Sequence, residues 1–446
     1  MVKEKMIEQG KFKYFDYIPV KHSVFLKLFL ATFIVLAPLS VTSANKIILV
    51  FLFGLCLLAI IFSSIIKDNF KLTSKAKILI NSYLSVYLVG IISSIFHINI
   101  LYGDYISSVF SGRLFTLIVF FTVLFYTLAS IESLSRITLF LYGRLAFIVL
   151  FLFVIVGGFW QLTSFYTPIP FPFETRTWLH GVPASIAAIL PQRLTSFAEE
   201  PNFFAPIIIE FLILARLFFS RSKLRKPFIY MGLFVLGMTF SAGAYVNLIL
   251  IVSFYILVNL KDSLKKGDIT KFQVLFISTV LILLLLILQF GGVLIDYIVA
   301  KFSNEVSGGS SRSQFLKSLT LLWLDGSAWQ LLFGRGVATL SVLPVFGMEQ
   351  SDFLFRISNN MFLDIIWESG LIGFFLLLFT FVPLFLRGYK NRSNIFYESG
   401  MLLTVHLFIT SLYRSEYLSM HFLWLIVLIF VCYKIGNDNP ETFIGS

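Results

Sequence analysis

The chain has 446 residues, of which 58% are hydrophobic, 17% aromatic and only 13% charged, with a mean hydropathy of +0.90. Soluble domains carry about 25% charged residues, so this composition excludes an ordinary soluble fold and points to lipid as the solvent. The net charge of +12 does not indicate a nucleic-acid partner, because the basic residues lie in short runs between apolar segments, where they set membrane topology.

In lipid every backbone N–H and C=O must be bonded internally, which leaves helices or a closed barrel. Unbroken apolar runs such as 272–295 suit helices rather than the short alternating strands of a barrel. In chain order the runs fall at 24–41, 47–66, 78–95, 114–130, 137–160 and 203–220, then at 228–241, 244–260, 272–295, 366–386, 396–412 and 420–433. Most approach the ~20 residues needed to cross hydrocarbon; 228–241 and 420–433 are short. The expectation is an all-α integral membrane protein, one polytopic domain over 1–446 with about 12 transmembrane helices.

Basic residues test that count. Lys3, Lys5, Lys11, Lys13 and Lys21 precede the first run, and every second connection is then basic: Lys67, Lys71, Lys75 and Lys77; Arg136; Arg221, Lys223, Arg225 and Lys226; Lys261, Lys265, Lys266 and Lys271; Arg387, Lys390 and Arg392. The alternate short connections hold only Lys46, Arg113 and Arg414. Such alternation places both termini in the cytoplasm. The first run has signal-peptide features, with Thr42 and Ala44 in the manner of a weak cleavage site, but its long charged leader predicts a retained helix.

Two connections are long, 161–201 and 296–358, and both are expected on the extracytoplasmic side, folded back onto the bilayer by Trp178, Trp323 and Trp329. Loops longer than about 15 residues are usually functional or disordered. They hold arginines where the positive-inside tendency should thin them: Arg176, Arg193, Arg312, Arg335 and Arg356. The guanidinium fork grips phosphate in bidentate fashion. At an outer membrane face the natural sugar donor is a polyprenyl pyrophosphate, and fixed cations stabilise the charge that develops when its anomeric bond breaks. The alternative reading pairs these arginines with lipid headgroups or with acids of their own loops. The two cysteines, Cys56 and Cys432, form no framework, and the five histidines lack metal-ligand spacing, so neither a metal nor another cofactor is expected.

The densest constellation is Gln192-Arg-Leu-Thr-Ser-Phe-Ala-Glu-Glu-Pro-Asn-Phe-Phe204. Pro201 suits a first helical turn, which puts Glu199 and Glu200 at a helix N-terminus. Glu200 either orients and deprotonates an acceptor hydroxyl beside a pyrophosphate-binding Arg193, or merely complements the helix dipole. Further on, Asn359, Asn360, Asp364 and Glu368 open a span, with Asp364 and Glu368 on one helix face. Gly370 and Gly373 read as close helix packing. Arg144 and Glu210 lie at depths that predict a structural ion pair. Ser241-Ala242-Gly243-Ala244 reads as a tight outer turn.

Three patches together resemble the O-antigen polymerase and ligase superfamily of bacterial inner membranes. Arg193, Phe197, Glu200, Pro201, Asn202 and Phe204 resemble its Arg-x-x-x-Phe-x-Glu-Pro element. Arg312 to Trp323, followed by Leu332-Phe333-Gly334-Arg335-Gly336, resemble its second outer loop. Asn359-Asn360-Met361-Phe362-Leu363 with Glu368-Ser369-Gly370-Leu371-Ile372-Gly373 resemble its His-Asn-x-Tyr-Leu and Glu-x-Gly-Leu-Ile-Gly segments. Asn359 stands where the ligases carry histidine, and Ser241-Ala242 where a Ser-Arg often opens a span; both departures fit a polymerase better. The resemblance implies a metal-independent, inverting glycosyltransferase of the bacterial plasma (inner) membrane. It would polymerise undecaprenyl-pyrophosphate-linked repeat units, taking a lipid-linked donor and acceptor, with membrane lipids around it and a chain-length regulator as an optional partner. Arg193 and Glu200 would then be catalytic, and Arg312, Arg335, Arg356, Asn359 and Glu368 would bind substrate. The alternatives are a ligase that moves finished glycan to lipid A core or protein, and a flippase for the same lipids, which predicts charge buried near mid-membrane.

Overall fold

A computed structural model describes residues 20–42, 45–65, 72–97, 109–173, 175, 192–266, 311–341, 358–415 and 417–437. The described residues are helical with no strand. The first four helices are α1 (Val20–Leu36), α2 (Asn45–Ile65), α3 (Ser74–His97) and α4 (Ser111–Ser133). Then come α5 (Arg136–Ser164), α6 (Pro201–Phe218), α7 (Arg225–Met238) and α8 (Ala242–Lys266). The last five are α9 (Ser311–Leu324), α10 (Ala328–Phe333), α11 (Met361–Lys390), α12 (Ile395–Ser411) and α13 (Met420–Ile435). Helices α3, α4, α5, α6 and α11 are each long and apolar enough to cross a membrane, and α1, α2, α8, α12 and α13 contain shorter apolar helical stretches. Eleven of the twelve apolar runs thus coincide with helices. The run 272–295 lies outside the described residues, as do both chain ends.

Local chemistry sets the helix ends. Pro38 turns α1 into a 3-10 turn, Ala37–Val41. Ser135 caps α5 by accepting from Thr138 N, Asn360 caps α11 from Leu363 N, Asn394 caps α12 from Phe396 N and Ser419 caps α13 from Phe422 N. Helix α5 passes through a π-helical turn, Leu152–Val156. Ser327 and Gln330 close a reciprocal cap on α10.

Helix α13 is the axis of the bundle. Its residues are buried on every side but for partly exposed Lys434, which fits a helix that is apolar all round. Its 16 residues span about 24 Å, short of a ~30 Å hydrocarbon core, because it begins below the end of the bundle. The α12–α13 connection, with Arg414, Tyr417 and Leu418 all buried, fills the remaining depth. At the opposite end, Glu132 accepts from Lys434 Nζ at 2.9 Å and Thr73 Oγ1 at 2.9 Å, and Arg216 Nη2 meets Glu398 Oε2 at 2.6 Å. That end also carries Lys75, Arg136, Lys223, Arg225 and Arg387, and is the one the positive-inside tendency assigns to the cytoplasm. The other is called the outer end below.

One helix is broken where it positions chemistry. Gly370, with φ +65°, interrupts α11, so the carbonyls of Trp367 and Glu368 lose the N–H groups of Leu371 and Ile372 that an unbroken helix would offer. The loop after α10 replaces them: Arg335 N donates to Trp367 O at 2.7 Å and Gly336 N to Glu368 O at 3.1 Å. Small residues of α3 allow this close approach. Ser93 Oγ donates to Gly334 O at 2.6 Å, Val337 N donates to Ser94 Oγ at 2.8 Å, and Gly90 faces Ser369 and Val337. Gly334 (φ +80°) and Gly336 (φ +102°) supply the left-handed backbone the insertion needs.

Candidate functional site

The outer end gathers polar groups around the α12–α13 connection in two clusters. In the first, Glu368 on α11 directs Oε1 at three donors: Ala338 N at 2.9 Å, Tyr417 OH at 3.1 Å and Arg113 Nη2 at 3.3 Å. Arg113 Nη2 also meets the Tyr417 hydroxyl, and its guanidinium lies 4.9 Å over the Tyr417 ring. No described residue donates to Glu368 Oε2. Ala338 reaches its position at φ +56°, a conformation that a non-glycine residue adopts at a cost. Tyr417 is anchored from below by Tyr83 and Tyr87. Both hydroxyls reach its carbonyl, Tyr87 at 3.3 Å, and the Tyr87 ring stacks on its own at 6.1 Å. Burial pushes the Tyr417 phenol well above its ordinary value, with Arg113 pulling the other way and Glu368 and Asp364 adding to the rise, so it remains an O–H donor. Asp364, one turn before Glu368, accepts from Ser358 N at 2.8 Å and from the Ser415 hydroxyl.

Next to this cluster lies a cavity of about 440 Å³ between α3 and α4, lined by Leu84, Tyr87, Leu114, Ile118, Phe121 and Phe125 among others. Its wall is almost wholly apolar, and Ile118 and Phe125 are exposed on the outside of the bundle. Tyr87 belongs to both: its ring lines the cavity and its hydroxyl joins the cluster.

The second cluster faces α6 and α8. The Arg414 guanidinium stacks 4.2 Å over Phe203, and Nη1 donates to Phe203 O at 3.4 Å. Burial pulls Arg414 down to about 9, against the pull of Tyr413, Glu210 and Glu200, so it stays a cation at neutral pH. Deeper in the bundle, Glu210 accepts from Trp424 Nε1 at 2.9 Å and meets His421 Nε2 at 2.7 Å and His406 Nε2 at 3.6 Å. Among the described residues no group of three or more His, Cys, Asp and Glu side chains has the arrangement to hold a metal ion.

The residues singled out in the sequence divide accordingly. Glu368 sits at the centre of the first cluster. Glu200 caps α6 through its carbonyl, which accepts from Phe203 N at 2.9 Å and Phe204 N at 3.1 Å, and its carboxylate lies in electrostatic reach of Arg414. Arg193 points inward: Nε donates to Thr239 O at 2.9 Å and Nη2 to Phe240 O at 3.0 Å, bracing the turn before α8. Leu194 N on Met238 O and Ser241 Oγ on Asn202 Oδ1 complete that joint. Arg335 stacks 4.8 Å over Trp367 and donates to Leu322 O at 2.7 Å; burial lowers its pKa, opposed by Asp325. Arg193 and Arg335 therefore sit in two separate joints between loop and bundle, and the common outer groove expected of the loop arginines is not formed by these two. Asn359 takes φ +58° at the entrance to α11. Arg176, Arg356 and the side chain of Arg312 lie outside the described residues.

The expected ion pair of Arg144 with Glu210 is not formed: Arg144 is exposed and lies 4.7 Å over Phe140, whereas the Glu210 carboxylate turns to the two histidines. Equal depth on neighbouring helices does not fix which way each side chain faces. Sequence reasoning missed Arg113, Arg414 and Tyr417 because the short connections were read only for topology. The signal was present, since Arg113 and Arg414 break the positive-inside tendency as much as the loop arginines do. No protein-family model matches the chain, and a search of curated proteins returns no match.

Proposed function

We propose that the chain is a glycosyltransferase of the bacterial plasma membrane. It would polymerise undecaprenyl-pyrophosphate-linked repeat units into O-antigen, capsule or exopolysaccharide at the outer face, through twelve spans with both termini inside. The observation that carries this reading is Glu368: an outer-end carboxylate with one oxygen held by three donors and the other without a donor among the described residues, beside an apolar cavity on the lipid side. That arrangement suits a base that meets an amphiphile, with the polyprenyl chain in the α3–α4 cavity and the sugar at Glu368. Oε2 would take the proton of the acceptor hydroxyl as its oxygen bonds the donor's anomeric carbon. The anomeric C–O bond to pyrophosphate breaks, and the leaving group departs with the electron pair. Arg113, and Arg414 across the same connection, supply fixed positive charge for that departure. Arg193 and Arg335 act through the loops they hold.

The test is reconstitution of the purified chain in liposomes with lipid-linked single repeat units. A ladder of glycan lengths is expected. Glu368→Gln should reduce it by about 100-fold or more, the usual weight of general base catalysis, and Tyr417→Phe should reduce it less. A full ladder from Glu368→Gln refutes the assignment, and transfer only to lipid A core or protein indicates the ligase. Transport is the second reading, favoured by Glu210, which lies nine residues into α6 and hence roughly 13 Å along the helix. It predicts movement of the lipid-linked sugar between leaflets with no ladder.

A further inference from the structure

Exposed apolar side chains at the outer end form one pattern across α3, α9 and α10. On α3, Leu88, Ile92, Ile95 and Phe96 are exposed at helical spacing, the stripe that a span presents to lipid. Helix α10 lies against the top of that stripe. The Trp329 ring meets Phe96 edge-on at 5.3 Å and stacks on Phe333 at 4.0 Å, and Gly334 O accepts from Ser93 Oγ at 2.6 Å. From Trp329 to Gly334 the chain thus descends along α3 from Phe96 to Ser93, about 4.5 Å. Trp329 and Leu332 are exposed, and no residue of α10 is buried. Helix α9 turns Phe315 and Leu319 inward onto Leu340 and Trp367, and Trp323, expected at the bilayer, packs with them instead. Its outward face carries Gln314, Lys317 and Thr320, then Leu321 and Leu324, so it is polar in its first half and apolar in its second.

Depth identifies what covers these side chains. Phe96 lies 19 residues beyond Lys77, the last lysine of α3 at its cytoplasmic end, hence roughly 28 Å along the helix, close to the ~30 Å of a hydrocarbon core. Glu368 and Arg387 on α11 are also 19 residues apart, so a second helix sets the same boundary. Trp329 therefore stands where aromatic residues gather between hydrocarbon and headgroups, with Leu332 just beneath. We infer that α9 and α10 form an interfacial wedge seated in the outer leaflet. Leu321, Leu324, Trp329 and Leu332 enter the upper part of the lipid chains, and Lys317 meets the headgroup phosphates. Lipid is the occupant because this face continues the lipid-facing stripe of α3 at the same depth. Lys317, one turn before Leu321, can lay its stem along the apolar surface and keep its ammonium among the phosphates. The loop that follows α10 gives Ala338 N to Glu368 and fills the break at Gly370, so the leaflet supports from outside the joint that those bonds hold from within. The inference needs only the membrane-spanning reading, not the glycosyltransferase one.

The experiment is spin-label accessibility of the full chain in phospholipid bilayers. A nitroxide is attached to Leu324→Cys and Leu332→Cys on the wedge, and to Gln314→Cys and Lys317→Cys above it. Cys56 and Cys432 are buried and stay unlabelled. Labels at 324 and 332 should collide more often with oxygen, which concentrates in hydrocarbon, than with a water-soluble nickel chelate. Labels at 314 and 317 should show the reverse. Preference for the nickel chelate at 324 and 332 puts the hairpin in water and overturns the inference. Shielding of those two positions from both reagents puts protein over the face and overturns it equally. Oxygen preference at 314 and 317 would submerge the whole hairpin and overturn the placement of Lys317. Leu321→Cys and Trp329→Cys carry the test if a variant on the wedge does not fold.

Discussion

Gly370→Ala tests whether the loop after α10 is locked into the break of α11. The substitution forces a side chain onto a backbone at φ +65°, which costs about 1–2 kcal/mol for an L-residue. The new Cβ would collide with the Leu332 carbonyl and lie 2.6 Å from Gly334 N, and neither is a flexible side chain that can swing away. Displacing the loop breaks the Arg335 and Gly336 bonds to Trp367 O and Glu368 O, at about 0.5–1.5 kcal/mol each. The sum is a loss of about 2–5 kcal/mol. It is measured by detergent-driven unfolding of the purified chain in mixed micelles, followed by tryptophan fluorescence. Gly54→Ala, where the added Cβ meets nothing within 4 Å, is the control and should gain up to about 1 kcal/mol from helix propensity. Gly334→Ala attacks the same joint from the other side, 2.5 Å from the Glu368 carbonyl, so the two losses should not add. A Gly370→Ala chain within about 0.5 kcal/mol of wild type, the scale of an inconsequential surface change, refutes the lock.

Arg193→Ala should lose at least the two described hydrogen bonds from a charged donor, at about 1.5–3 kcal/mol each, and lower unfolding stability together with, on the proposed function, glycan output. Loss of output with unchanged stability would instead make Arg193 a direct pyrophosphate ligand. Cys56 and Cys432 are buried, so the wild-type chain in membranes should resist an impermeant maleimide. Exposed Ala328→Cys should label from outside and exposed Lys223→Cys only after the membrane is opened; the reverse pattern would invert the topology.

The helices were legible in the sequence because transfer to lipid demands a long apolar run wherever the chain crosses, and that requirement leaves a mark independent of packing. Even the two short runs are helices, α7 and α13. The brevity of α13 follows from its burial, which the run length alone does not disclose. The site was legible only in part. Glu368 stood out as a carboxylate at the head of a span, but its partners Arg113, Tyr417 and Ala338 come from separate elements, and no periodicity within α11 points to them. Arg193 read as a ligand because its residue type suits phosphate; what the sequence did not disclose is that Nε and Nη2 also brace two backbone carbonyls of a turn. Gly370 read as a packing glycine, which it is, but the packing is of a loop into a broken helix rather than of helix on helix.

The α12–α13 connection unites these features for a physical reason. A chain that descends to begin a central helix below the bundle end carries its polar side chains away from water, and each must find a partner inside. Tyr413 meets Asn247 of α8, Arg414 meets the first turn of α6, Ser415 meets Asp364 of α11 and Tyr417 meets Arg113 of α4 with Glu368 of α11. Polar contacts from these four residues to four helices leave the segment little freedom to move at one end without the other. Glu210 lies within electrostatic reach of Arg414, and the same backbone fixes the Tyr417 hydroxyl on Glu368. The buried Glu210 cluster and the outer carboxylate are thus joined by a short covalent path whose described polar side chains, Tyr413, Arg414, Ser415 and Tyr417, are each held by a neighbouring helix.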